Sequence, residues 1–181
     1  MTESAPQALL RFIPFVQHRP GILVSLLSES YAAYLALDPQ AAQAWPTDWA
    51  AYDRDVFRFR GTVGACGFVT YVGDQPIGFA SWDPRGFPEF GVIGHNCVLP
   101  AFQGHGYGTA QIRRVLSILR ARGFRQACVT TGQHPFFRPA QRMYEACGFR
   151  EVALGPRDPR ATLRVIDYVL PLRSCQSQCE A

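Results

Sequence analysis

The spacing of apolar residues along this chain changes repeatedly between the period of a strand and the period of a helix. Short runs rich in β-branched and aromatic residues predict strands at 9–15, 66–72, 77–82, 90–99, 124–131, 149–154 and 164–170. Apolar residues three and four apart predict helices at 22–37, 107–122 and 137–147. Thr47 or Asp48 is a candidate N-cap for one more helix, which runs through Phe57.

These elements occur in the order β-α-α-β-β-β-α-β-α-β-β. Residues 73–76 separate the second and third strands and predict a hairpin with a four-residue turn. An order of this kind predicts an α+β (mixed α/β) fold, a three-layer sandwich with a central sheet flanked by helices.

A glycine-rich turn follows the strand at 90–99 and leads directly into the helix at 107–122. Gly104, Gly106 and Gly108 permit unusual backbone angles and let an anion approach the main chain. The start of a helix carries unpaired N–H groups and the positive end of the helix dipole. We therefore interpret residues 103–109, called the glycine turn below, as a pyrophosphate site.

Two common nucleotide sites do not fit this turn. The glycines follow G-x-G-x-G, whereas dinucleotide-binding domains use G-x-G-x-x-G followed by an acidic residue. A Walker loop needs a lysine, and all 18 residues counted as Lys or Arg in this chain are arginines. The absence of lysine also excludes Schiff-base chemistry.

Two motifs resemble those of the GNAT family of N-acetyltransferases. The segment Gln103-x-x-Gly106-x-Gly108 is similar to the family's acetyl-CoA signature, Q/R-x-x-G-x-G/A. The resemblance implies that acetyl-CoA is the acyl donor. It also implies that the central sheet of the sandwich is mostly antiparallel.

The second motif lies on the helix predicted at 137–147. Ala140, Tyr144, Gly148 and Phe149 match the family pattern N-x-x-A-x-x-x-Y-x-x-x-G-F, with Phe137 in place of the asparagine. In the family this asparagine contacts the cofactor arm, so one hydrogen bond to acetyl-CoA is in doubt here. Tyr144 corresponds to the residue that protonates the departing sulfur, and packing in the core is its alternative role.

The resemblance also indicates where acetyl-CoA would lie. The family's strand before the turn diverges from the next strand and pairs through its backbone with the pantetheine arm, which is a form of strand addition. In this chain that edge is Asn96, Cys97 and Val98. The pyrophosphate would contact backbone amides of Gln103, Gly104, His105, Gly106, Tyr107, Gly108 and Thr109. The His105 side chain either adds a phosphate contact or is exposed.

Direct acetyl transfer to an amine needs a base, a donor for the oxyanion and a proton for the leaving thiolate. A phenol with a pKa of about 10 remains protonated at neutral pH and suits the last role. The base is open, because Val92 occupies the position of the glutamate that some family members use. His95 has the best-matched pKa, and Glu89, Asp83 and a relayed water are alternatives.

Length and composition narrow the biological setting. A chain of 181 residues fits one domain, taken as 1–173, followed by a flexible tail at 174–181. The net charge of +4 is spread over dispersed arginines, which argues against a nucleic-acid partner. No membrane-length apolar run or signal peptide is evident, so we expect a cytoplasmic protein without a membrane partner.

The six cysteines form no zinc pattern, and we expect reduced thiols and no metal. The partner is expected to be a small-molecule or peptide amine, and a homodimer is left open. The main alternative is a non-catalytic module that binds acyl-CoA or regulates another protein. The departures at Val92 and Phe137 motivate that alternative, whereas Tyr144 argues for an enzyme.

Overall fold

Seven strands form a single sheet in the computed structural model of the chain, which describes residues 10–172. They are β1 (Leu10–Pro14), β2 (Gly67–Val72), β3 (Gln75–Asp83), β4 (Phe90–Val98), β5 (Gln126–Gly132), β6 (Arg150–Arg157) and β7 (Arg164–Pro171). Their spatial order is β1-β2-β3-β4-β5-β7-β6. Neighbours are antiparallel except β4 and β5, which are parallel. The predicted tail at 174–181 lies outside the described residues.

Over the described range, four α-helices cover the two faces of this sheet: α1 (Ile22–Leu35), α2 (Pro39–Arg58), α3 (Tyr107–Ala121) and α4 (Arg138–Ala146). Because side chains alternate along a strand, neighbouring residues face different helices. Val69 and Phe79 pack with α1 and α2, whereas Phe68 and Ala80 pack with α3 and α4. The predicted three-layer sandwich and the order of its elements are confirmed.

The second helix begins earlier than the sequence predicted. It starts at Pro39, so Thr47 and Asp48 lie inside it, and Pro46 is accommodated within the helix. Asp38 is the N-cap, and its carboxylate accepts hydrogen bonds from the N–H groups of Gln40 and Ala41 at 3.1 Å each. The proline at the first helical position needs no N–H partner, which suits this start.

The turn between β2 and β3 is also shorter than predicted. Gln75 and Pro76 pair with Val72 and Tyr71, so only Gly73 and Asp74 remain between the strands. A bulge between Thr70 and Tyr71 accompanies this pairing. The hairpin itself is confirmed, and its four-residue turn is corrected to two residues.

Two buried carboxylates connect elements that are distant in sequence. Asp53 of α2 accepts hydrogen bonds from Gly21 N at 2.7 Å and Leu23 N at 3.0 Å, which caps the start of α1. Asp38 accepts from both the N–H and the hydroxyl of Thr162 at 2.9 Å. Together they fix α1, α2 and the β6–β7 connection relative to one another.

Candidate active site

The sheet opens between its two parallel strands. β4 pairs with β5 only over Phe90–Val92, while β5 continues alongside β7 as far as Gly132. Leu99 N donates to Ile77 O at 2.7 Å, so alternation directs the backbone groups of Asn96 and Val98 away from β3. The strand edge predicted to receive the pantetheine arm therefore faces this gap, and the backbone of Cys97 faces β3.

A cavity of about 520 Å³ lies at the gap. Its walls come from the end of β4, the glycine turn, the start of α3, the facing side of α4 and one turn of α1. The lining residues predicted from the sequence are Asn96, Cys97, Val98, Gln103, Gly104, Gly106, Tyr107, Gly108 and Thr109. Of the predicted contact residues, His105 alone does not line it; its Nδ1 lies 2.8 Å from Gln103 O.

The glycine turn presents its backbone to this cavity. Gly104 and Gly106 have φ of 79° and 81°, in the left-handed region that favours glycine. A Cβ at either position would meet no atom within 4 Å, so the space beside them is open. Gln103 Nε2 donates to Val98 O at 2.9 Å and fastens the turn to the end of β4.

Gly108 has a different role from the other two glycines. A Cβ there would approach Met143 Sδ to 2.7 Å and Val98 Cγ2 to 3.8 Å. The missing side chain lets α3 lie close to α4 and β4. The turn therefore combines two positions that expose backbone with one that permits close packing.

Tyr144 lies on α4 and is buried, with only 3% of its surface exposed. Its ring packs against Phe149 and Tyr168. Its hydroxyl accepts a hydrogen bond from Asn96 Nδ2 at 2.8 Å. Burial raises the pKa of Tyr144 to about 12, even though the bond from Asn96 acts in the opposite direction. The phenol is therefore protonated at neutral pH and adjoins a residue that lines the cavity.

Tyr31 lies at the site through a contact with β4 that the sequence did not reveal. It lines the cavity from α1, and its hydroxyl donates to Asn96 O at 3.4 Å. Burial raises the pKa of Tyr31 well above its usual value. In the sequence this tyrosine belongs to the apolar stripe of a predicted helix, which indicates that it is buried. Its contact with β4 spans 65 positions, which no local pattern indicates.

His95 lies next to Asn96 but on the other face of β4. Its ring stands 4.8 Å from that of Tyr52 on α2, and it does not line the cavity. His95 is exposed overall, but desolvation of its ring by the packed atoms around it lowers the pKa of His95, the charge of Arg160 lowers it further, and that of Asp48 raises it. His95 is therefore neutral at physiological pH and able to accept a proton.

The two carboxylates considered as alternative bases are engaged in ion pairs at the surface. Glu89 accepts two hydrogen bonds from Arg125 Nη1 at 2.7 Å. Asp83 accepts from Arg85 Nε at 2.8 Å, and this hydrogen bond, more than any other contact, lowers the pKa of Asp83. Val92, at the position of the family glutamate, is the last residue of β4 that pairs with β5.

Phe137 replaces a polar residue with an aromatic one at the cavity. It is buried, lines the cavity and packs 5.0 Å from the ring of Tyr34. Phe136 also lines the cavity and packs against the same tyrosine. The wall that faces α1 is thus aromatic and offers no side-chain hydrogen bond from position 137.

Within residues 10–172 no group of three or more His, Cys, Asp or Glu side chains is placed to hold a metal ion. None of the helices over the same range combines the length and apolar character that crossing a bilayer requires.

Residues 29–149 match the acetyltransferase (GNAT) family. The chain belongs to this family. The match includes the glycine turn, the cavity and Tyr144. No curated protein sequence matches the chain significantly.

Solved structures of GNAT proteins share the fold at low sequence identity. A GNAT-family protein from Desulfovibrio desulfuricans has a TM-score of 0.69 at 19% identity, over 91% of this chain and 99% of its own. A GNAT acetyltransferase from Elizabethkingia anophelis, solved with acetyl-CoA bound, has a TM-score of 0.51 at 16% identity. The match covers 64% of this chain and 82% of that protein. The ribosomal-protein-S18-alanine N-acetyltransferase from Escherichia coli has a TM-score of 0.52 at 19% identity, and the match covers 64% of this chain and 73% of that protein.

Proposed function

We propose that this GNAT protein transfers the acetyl group of acetyl-CoA directly to the nitrogen of an amine. One observation carries the proposal: the open edge of β4 and the glycine turn meet in a single cavity. A thioester arm needs an extended backbone to pair with, and a pyrophosphate needs exposed amides at a helix start. The cavity offers both in continuous space.

The residues around the cavity suit the two ends of acetyl-CoA. In this proposal the backbone groups of Asn96 and Val98 pair with the pantetheine amides. The amides of the glycine turn bind the pyrophosphate, which the open space beside Gly104 and Gly106 supports. Arg142 of α4 lines the same cavity and adds a positive charge for a phosphate. When bound, acetyl-CoA supplies an acyl group activated as a thioester.

In the proposed reaction His95 and Tyr144 act from the two faces of β4. His95 takes a proton from the amine, whose nitrogen then forms the new bond to the acetyl carbon. As the tetrahedral intermediate collapses, the electron pair of the C–S bond goes to sulfur. Tyr144 gives its O–H proton to that sulfur and is reprotonated from solvent.

A second candidate function is binding of acyl-CoA without turnover. It is favoured by one observation: Tyr144 is not itself among the residues that line the cavity, and Asn96 is its link to that space. A binder would keep the strand edge and the glycine turn and would need no acid. Release of free thiol in the presence of a panel of amines distinguishes the two functions.

Replacement of Tyr144 by Phe tests the acid directly. It removes one hydroxyl and keeps the ring that packs on Phe149, so acetyl-CoA affinity should hold while kcat falls roughly 10–1000-fold. Tyr168→Phe is the matched control, since Tyr168 is a buried neighbour of Tyr144 outside the cavity. Equal kcat for Tyr144→Phe and the parent, on an acceptor found by the thiol-release panel, would assign Tyr144 to the core.

A further inference from the structure

The side chain of Asn96 makes two hydrogen bonds that fix its orientation. Its Nδ2 lies 3.3 Å from Gly94 O and 2.8 Å from Tyr144 Oη. A backbone carbonyl only accepts hydrogen bonds, so the nitrogen of the amide, and not its oxygen, faces this side. Asn96 is therefore the donor to Tyr144, and the phenol oxygen is the acceptor.

A phenol that accepts a hydrogen bond still carries its own proton. Within residues 10–172 the Tyr144 hydroxyl donates to no protein group. Its ring is held by Phe149 and Tyr168, so rotation about the C–O bond is the freedom that remains. Because the Asn96 N–H occupies one side of the oxygen, the O–H of Tyr144 points away from that N–H.

We infer that Asn96 is a positioning residue for the acid: because its amide donates to the phenol oxygen, the Tyr144 O–H stays free to donate to the thioester sulfur. This inference rests on the proposed role of Tyr144. As the C–S bond breaks, its electron pair moves to sulfur and the Tyr144 proton forms the S–H bond. The phenolate that remains keeps the hydrogen bond from Asn96 until solvent returns a proton, and Asn96 itself gains and loses none.

The place of Asn96 on β4 connects this role to donor binding. Its backbone faces the gap where the pantetheine arm is proposed to pair, and its side chain holds the acid. One residue thus sets the distance between the thioester and the phenol. Asn96 is the only asparagine in the chain, which makes its side chain a unique spectroscopic probe.

Asn96→Asp and Asn96→Ala test the inference by kinetics. The carboxylate of Asn96→Asp accepts a hydrogen bond from the Tyr144 O–H and so withholds it from the sulfur, and we expect kcat to fall roughly 10–100-fold. The alanine variant loses the donor without reversing it and should lose less. The KM for acetyl-CoA should stay within about threefold, since the backbone edge is retained. Gln40→Glu is the control, an amide-to-acid exchange remote from the cavity.

A double-mutant cycle with Tyr144→Phe separates positioning from a structural role. If Asn96 acts through the phenol, Asn96→Asp and Asn96→Ala lower kcat in the parent and have little further effect in Tyr144→Phe. An equal loss in both backgrounds overturns the inference, and so does full kcat for both Asn96 variants. If Tyr144→Phe itself keeps full kcat, the proposed acid fails, which is a separate result.

Nuclear magnetic resonance tests the contact without any acceptor. Protein labelled with [¹⁵N]asparagine gives one side-chain NH₂ pair, and a hydrogen-bonded Nδ2 proton should exchange slowly. Tyr144→Phe should shift that pair and speed its exchange, whereas Tyr168→Phe should leave both nearly unchanged. An NH₂ pair that is insensitive to Tyr144→Phe shows that the bond is not made in solution and overturns the inference.

Discussion

Gly106 is the N-cap of α3 within the glycine turn, in a backbone conformation that most other residues adopt only under strain, with open space beside it. Gly106→Asp places a negative charge where a phosphate is proposed to bind. Acetyl-CoA affinity should fall at least about tenfold while the fold is kept. Gly106→Asn is the matched control, because asparagine tolerates the left-handed region and is neutral.

Isothermal titration calorimetry of both Gly106 variants checks this prediction. The aspartate should bind acetyl-CoA more weakly than the asparagine, and the difference should shrink at high salt because screening weakens the repulsion. Unchanged affinity in a folded Gly106→Asp variant would remove the pyrophosphate from the glycine turn.

The proposed role of His95 as the base predicts how kcat/KM depends on pH. A base works only when unprotonated, so kcat/KM should rise with pH through its pKa. Because partial desolvation of the ring lowers the pKa of His95, that rise should be centred below the usual histidine value of 6.5. His95→Gln should remove this limb and leave the one due to the amine itself at higher pH.

Two carboxylate variants serve as controls for His95. Glu89→Gln and Asp83→Asn should preserve the lower limb, since both carboxylates are engaged by arginines at the surface. A pH profile of His95→Gln that superimposes on the parent would eliminate histidine as the base. Loss of the limb in Glu89→Gln or Asp83→Asn would assign the base to that carboxylate.

The sequence predicted the residues of the glycine turn because the relevant information is local. Gly106 precedes a helix, and that neighbourhood alone led to the prediction of an anion site. The contacts made by the Tyr31 hydroxyl and by the Asn96 side chain were not predicted, because they join positions 65 and 48 apart. An amphipathic stripe shows that a tyrosine is buried but not which strand it meets.

Gly78 determines how closely β3 and β4 approach beside the site. A Cβ at Gly78 would lie 2.0 Å from Cys97 O and 2.9 Å from Val98 Cα, so Gly78→Ala must shift backbone. We expect a loss of about 1–3 kcal/mol in the free energy of unfolding, measured in urea. Weaker acetyl-CoA binding should accompany it, because the shifted atoms belong to the strand that lines the cavity.

Gly61→Ala is the control for this packing effect. A Cβ at Gly61 meets nothing within 4 Å, so its effect on the free energy of unfolding should be small. Comparable losses for Gly61→Ala and Gly78→Ala would show that close approach of the strands is not the cause.

The boundaries of α2 show where local signals compete. Asp38-Pro39 reads equally as the end of α1 and as the cap and first residue of a new helix. Pro46 argues against a helix that includes residue 46, since a proline inside a helix lowers its stability by about 3 kcal/mol. Packing of the Trp45 ring on Tyr34, at 5.2 Å, helps offset that cost. The number and order of elements were predictable, whereas this start depended on contacts between elements.

Asp38 connects three parts of the molecule and predicts a pH-dependent stability. Burial alone would raise its pKa, but hydrogen bonds from Thr162, Ala41 and Tyr34 outweigh burial and lower the pKa from 3.8 to about 2. A lowered pKa means that the carboxylate stabilises the fold above pH 3.8, and that this contribution is lost as the pH falls toward 2. We expect Asp38→Asn to cost about 2–4 kcal/mol near neutral pH.

Unfolding in urea at several pH values checks this prediction. The difference between the parent and Asp38→Asn should be constant from about pH 5 to 7 and should shrink between about pH 4 and 2. Asp74→Asn is the control, since Asp74 pairs with Arg11 at the surface with its side chain fully exposed. A difference that does not change with pH would mean that the charge of Asp38 contributes nothing to folding.

The gap between β4 and β5 makes the sheet a structure that its own chain does not complete. Beyond Val92 the two strands share no hydrogen bonds, although each remains paired on its outer side. An acyl donor that pairs with Asn96 and Val98 would act as a short borrowed strand. Binding would then be the last step of sheet formation, and the free energy of unfolding would increase with donor concentration by mass action. The supply of acetyl donor in the cell would thus regulate the lifetime of the folded protein as well as its turnover.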